Sequence, residues 1–135
     1  MKIFVLKDAP DRTAWFTNWA LENESTIVAT NNVSEAKFIL DNIKFDTIFL
    51  DHDLGGQVMV DRHEPNTGYM LCKGGWTEKN NDTLVIVHSW NPDGAENMAR
   101  RLLDDGYKGQ IVLATFLSDQ FRAVVKQLKE MPCTS

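Results

Sequence analysis

A chain of 135 residues, 43% of them hydrophobic, suffices for one packed core and predicts a single domain over 1–135. Its 14 Lys and Arg against 19 Asp and Glu leave a net charge of −5, which argues against broad nucleic-acid binding but leaves room for a small phosphorylated ligand or an RNA terminus. Cys72 and Cys133 form no CxxC pair and are too few for a disulfide scaffold. The opening MKIFVL is too short for a signal peptide and no run approaches a membrane span, so a reducing, cytoplasmic setting without membrane contact is expected.

KIFVL, 2–6, is an almost continuous apolar run and predicts a strand covered on both faces. A helix is predicted over 11–23, where Trp15 and Trp19 stand four apart with Ala20 on the same side. STIVAT, 25–30, predicts the second strand, and SEAKFILDN, 34–42, a helix with Ser34 as its N-cap. DTIFLD, 46–51, is the third strand. The segment 54–66, LGGQVMVDRHEPN, is long where such connections use about 2–6 residues, and reads either as a functional lid or as a tolerated surface insertion. A weaker helix is predicted from near Thr67, through Met70 and Leu71, to Gly74-Gly75. TLVIVH, 83–88, is the fourth strand. The helix from Pro92 to about Asp105 carries Ala95, Met98, Ala99, Leu102 and Leu103 at helical spacing and stops at Gly106. QIVLAT, 110–115, is the fifth strand. Ser118 caps the last helix, with Phe121, Val124, Val125 and Leu128 as its buried stripe. Strand and helix alternate five times, without repeat, linker or low-complexity tract, which predicts a doubly wound α/β sheet.

In an open parallel sheet all strand C-termini point one way, and ligands bind in the crevice outside them. Here Asp8, Asp11 and Arg12 follow the first strand, Asp51, His52 and Asp53 the third, and His88, Ser89 and Asn91 the fourth. In a flavodoxin-like order these strands are neighbours and the three clusters converge. Asp8, Asp51 and Asp53 offer the oxygen ligands a hard divalent ion such as Mg²⁺ or Mn²⁺ prefers. Aspartates that merely end strands and begin turns are the competing reading. His52 and His88 carry rings suited to proton transfer near neutral pH, although a lone histidine at a strand end also serves as a hydrogen-bonded structural residue. His63, beside Glu64 in the long loop, reads as solvated surface.

The stretch SWNPDG, 89–94, joins a hydroxyl, an amide and the N–H groups of a starting helix, so Ser89, Asn91 and Gly94 are candidate phosphate binders. Asp93 would instead satisfy the helix dipole and repel an anion. Trp90 either stacks a base or packs, and Trp15, Trp19 and Trp76 read as packing residues. The pair Gly55-Gly56 lacks the G-x-G-x-x-G spacing and no Walker pattern occurs, so dinucleotide or ATP binding of those kinds has no support.

With an acid after strand one, an aspartate ending strand three and a hydroxyl ending strand four, the chain resembles the receiver domains of two-component signalling. That resemblance implies a five-stranded parallel sheet of order 2-1-3-4-5. VLATFL, however, places Thr115 and Phe116 where receivers carry a lysine, and the acidic pair after strand one is reduced to Lys7-Asp8. Phosphoryl acceptance from a histidine kinase is therefore not the first expectation. The fuller pattern LDHDLGG, TGY and VHSWNPDGAENM resembles the cyclic-phosphate-processing receiver-like family over nearly the whole chain. The resemblance implies metal binding by Asp8, Asp51 and Asp53, with His52, His88, Ser89 and Asn91 facing the phosphate.

The expected function is a metal-dependent phosphodiesterase opening a cyclic phosphate, such as a 2′,3′-cyclic phosphate of an RNA end or nucleotide, or a cyclic nucleotide signal. Asp51, His52 and His88 would be catalytic, with Asp51 or a water as nucleophile. One alternative is a non-catalytic receiver-like module that binds a protein partner or sequesters a cyclic nucleotide, as in a phage counter to host defence. Another is a phosphoacceptor receiver.

Overall fold

The computed structural model describes residues 1–6, 10–50, 78–88, 92–104, 106–115 and 118–130. Chain order is β1 (Lys2–Leu6), α1 (Pro10–Glu22), β2 (Thr26–Thr30), α2 (Val33–Asn42), β3 (Thr47–Leu50), β4 (Leu84–Val87), α3 (Pro92–Asp104), β5 (Ile111–Leu113) and α4 (Asp119–Glu130). All strand pairs are parallel, in the order β2-β1-β3-β4-β5, which is the doubly wound receiver topology expected from the sequence. No helix among the described residues is long and apolar enough to cross a membrane.

The near-continuous apolar runs arise because both faces of the sheet are covered. Phe4, Leu6, Ile48, Leu50, Val85 and Val87 point to one side and pack with Val33, Ala36 and Leu40 of α2 and Met98 and Leu102 of α3. Ile3, Val5, Phe49 and Ile86 alternate to the other side, against Phe16, Trp19 and Ala20 of α1 and Phe121, Val125 and Leu128 of α4. Trp19 is buried and Trp15 half-buried, in keeping with packing roles. Val124 is only partly buried at the margin of the α4 stripe.

One cap differs from expectation. Asn32, not Ser34, is the N-cap of α2: its backbone is extended and its side-chain oxygen accepts from the Glu35 N–H at 2.9 Å. Helical geometry therefore begins at Val33, which leaves Ser34 inside the first turn. At α4 the expected cap is present, with Ser118 Oγ accepting from the Phe121 N–H at 3.2 Å. Helix α3 ends where Gly106 takes φ 91°, a left-handed conformation suited to glycine. The Tyr107 N–H then returns to the Leu102 carbonyl at 3.0 Å. The predicted helix near Thr67, the long connection 54–66, both cysteines, Trp76 and Trp90 lie outside the described residues.

At the N-terminal edge of the sheet, Asn80 is fully buried and uses its whole amide. Its oxygen accepts from the Phe45 N–H at 2.8 Å and from Thr83 Oγ1 at 3.1 Å. Its nitrogen donates to the carbonyls of Leu40 and Ile43, both at 2.8 Å. One side chain thus ties the end of α2 and the entry to β3 to the segment leading into β4.

Candidate functional site

At the C-terminal edge the strand ends are aligned. Leu6 of β1 pairs with Leu50 of β3, and Leu50 pairs with Val87 of β4. The ladder continues one residue further, where the His88 N–H donates to the Leu50 carbonyl at 2.9 Å. On the far side of β4 the Ala114 N–H donates to the Val87 carbonyl at 3.0 Å, so β5 ends at the same level. Three adjacent strands therefore deliver the chain to one edge, and the next residues in sequence include Asp8, Asp51 and His88.

Of the catalytic candidates, His88 falls among the described residues, whereas Asp51 and His52 lie outside them. The same holds for the metal candidates Asp8, Asp51 and Asp53 and for the phosphate candidates Ser89 and Asn91. Gly94 falls in the first turn of α3. Among the described residues no three His, Cys, Asp or Glu side chains gather as a metal set.

His88 is fully buried. Its ring lies 5.7 Å from that of Phe16, and 6.3 Å from those of both Phe49 and Phe121, in tilted or edgewise contacts. The three phenyl rings come from α1, β3 and α4 and pack on one another, with Phe16 and Phe49 at 4.8 Å. They fix the plane of the imidazole and remove bulk water from its described surroundings. A charged imidazolium among phenyl rings requires a polar or acidic partner to offset its lost hydration, so a proton-carrying role for His88 depends on such a group at the edge. The phenylalanine cage is missed by a residue-by-residue reading. Its only signal is apolar: Phe49 belongs to a strand run and Phe121 to a helix stripe.

Thr115, at the position where the receiver pattern calls for lysine, is exposed just beyond β5. Its carbonyl accepts from the Ser118 N–H at 2.9 Å. Its hydroxyl brings no positive charge to the edge. The ion pair of Lys44 with Asp82, at 2.5 Å, lies before β3 and β4 and so belongs to the opposite edge. Its hydrogen bond and charge hold the Asp82 carboxyl below its usual range.

The family described as cyclic-phosphate processing receiver domain matches residues 2–104. No curated protein matches the chain. Among solved structures, the non-phosphorylated HemR receiver domain from Leptospira biflexa is 14% identical, with a TM-score of 0.65 over 99% of this chain and 98% of that one. The receiver domain of a sensor histidine kinase from Pseudomonas aeruginosa PAO1, with magnesium coordinated in its active-site cleft, is 11% identical, with a TM-score of 0.61 over 96% and 98%. The response regulator TrrA from Thermotoga maritima, in complex with Mg²⁺-BeF, is 18% identical, with a TM-score of 0.62 over 94% and 97%. At these identities the structural likeness establishes the fold.

Proposed function

The chain belongs to the cyclic-phosphate processing receiver domain family, and from that premise we propose a receiver-fold module that binds a cyclic phosphate together with a divalent cation at the C-terminal edge of its sheet. The observation that carries this reading is the common level of Leu6, Leu50 and Val87 on three adjacent strands. Each leads within two residues to a group suited to a cation or a phosphate: Asp8, Asp51, or His88 with Ser89.

A magnesium or manganese ion fits the donor set, because Asp8, Asp51 and Asp53 are oxygen ligands and β1 and β3, which lead to them, are neighbours in register. Magnesium in the Pseudomonas and Thermotoga receivers supports the same choice. Such an ion, when bound, would offset charge on the phosphate oxygens. Ser89, Asn91 and the first N–H groups of α3 around Gly94 would hold the remaining oxygens. The signalling receivers that share the fold favour a binding module over an enzyme.

Opening of the bound cyclic phosphate is the second reading, favoured by the family's description as phosphate-processing. Water would attack phosphorus, and the bond to one ring oxygen would break. His88 or His52 would take the water's proton and return one to the departing oxygen. Phosphoacceptance at Asp51 is the weaker third reading, since Thr115 supplies no ammonium.

The test is a panel of cyclic mononucleotides, cyclic dinucleotides and RNAs ending in a 2′,3′-cyclic phosphate, incubated with protein and Mg²⁺ or Mn²⁺. Equilibrium binding and mass spectrometry are read in parallel. Metal-dependent binding supports the module, and a gain of one water by the ligand supports turnover. If nothing in the panel binds or changes, both readings fail.

A further inference from the structure

Helices α1 and α4 cover the same face of the sheet and leave between them a groove of about 660 Å³, a size typical of small-molecule sites. Trp15, Asn18, Trp19 and Glu22 line its α1 wall, at the spacing that turns one stripe of a helix to one side. Arg122 and Lys126, one turn apart, line the α4 wall above the buried Val125. The chemistry is sorted by wall: two exposed cations on α4, an exposed amide and an exposed carboxylate on α1, and the half-buried indole of Trp15. Trp19 adds an independent observation. It is 6% exposed where it lines the groove, and its buried indole N–H has no hydrogen-bond acceptor among the described residues.

We propose that this groove is a second ligand site, for a mononucleotide whose base carries an amino group. The phosphate would face Arg122 and Lys126, whose donors match its oxygens and its charge. The base would lie against Trp15, a contact open to any flat ring. Asn18 and Glu22 would accept N–H bonds from the base edge, and Glu22, being acceptor-only, selects for an exocyclic amine. Adenine, guanine and cytosine therefore fit better than uracil. This site is separate from the sheet edge and does not depend on the reading given for it.

The test is titration of the whole chain with 5′-AMP, 5′-UMP and inorganic phosphate, followed by amide NMR shifts. EDTA is present throughout, so that no divalent ion supports binding at the sheet edge. Saturable shifts confined to α1 and α4 are expected, with 5′-AMP tighter than 5′-UMP and both tighter than phosphate. Lys126→Glu should weaken 5′-AMP by roughly tenfold, the loss of one charge-assisted contact. Asp51→Asn should leave it unchanged. Both substituted groove cations are exposed, so folding is checked simply by a matching thermal melt. The proposal is overturned if 5′-AMP gives no saturable shift, if Arg122→Glu with Lys126→Glu binds as well as the parent, or if Asp51→Asn abolishes the shifts.

Discussion

The backbone N–H of His88 donates to the carbonyl of Leu50 at 2.9 Å, carrying the β3–β4 ladder one residue beyond the strands. That bond sets where two of the candidate clusters begin, while the phenylalanine cage below sets how the imidazole stands.

Removing the ring from this cage should be costly. His88→Ala leaves a cavity among Phe16, Phe49 and Phe121 and is expected to lower unfolding free energy by about 2–4 kcal/mol. His88→Phe fills the same space without ring nitrogens and should retain most of the stability. If His88 also moves a proton, the phenylalanine variant stays folded and binds the ligand but does not open it. Urea denaturation and the mass-spectrometric panel together separate these effects.

Asn80 makes a different prediction, because the side-chain bonds described above lie at the edge remote from the proposed phosphate site. Asn80→Ala removes its buried bonds to the Phe45 N–H and the Leu40 carbonyl and its part-buried bond to the Ile43 carbonyl. A loss of about 3 kcal/mol is expected. Ligand affinity measured on the folded fraction should be unchanged. A large affinity change with normal stability would contradict this structural role.

Tyr107 gives the alkaline limb of stability. Its hydroxyl donates to the Thr83 carbonyl and lies 2.9 Å from that of Gln110. Burial is the main cause that lifts its pKa from 10.0 to about 12; the Asp82 charge also raises it, and the Val85 backbone opposes. A folded value above the unfolded one means that this contribution is complete below pH 10 and is lost as pH rises through about 12. Thermal melts should show that decline in the parent and a flatter profile in Tyr107→Phe.

Gly109 is held by contact rather than by its dihedral angle. An added Cβ would meet the Tyr107 hydroxyl oxygen, Tyr107 Cζ at 2.7 Å and the Asp82 carbonyl at 2.8 Å. Gly109→Ala should destabilise by about 1–3 kcal/mol through overpacking. An unchanged melting temperature would show that the Tyr107 ring yields without loss.

Much of the fold is legible because it rests on local pattern. The apolar runs ending at Leu6, Leu50 and Val87 mark strands buried on both faces, and Gly106 and Ser118 mark helix boundaries by their chemistry. The Asn32 cap is harder to read because Asn32 and Ser34 are both good caps; the spacing from Asn32 to Glu35, whose N–H it binds, is the local clue. Asn80 stands in a polar stretch from Lys79 to Asp82, yet it is buried and bonds to the Leu40 carbonyl 40 residues away in sequence, which no local pattern reveals. The cage around His88 has the same character, since Phe16, Phe49 and Phe121 meet only after the sheet is wound.

Calorimetric titration of a 2′,3′-cyclic mononucleotide into the protein, with Mg²⁺ and with EDTA, for the parent and for Asp51→Asn, tests the proposed cation-and-phosphate site. Saturable binding that requires Mg²⁺ and disappears in Asp51→Asn, at an unchanged melting temperature, is the predicted result. Binding that is equally strong in EDTA and in Asp51→Asn would contradict a cation-and-phosphate site at the C-terminal edge of the sheet.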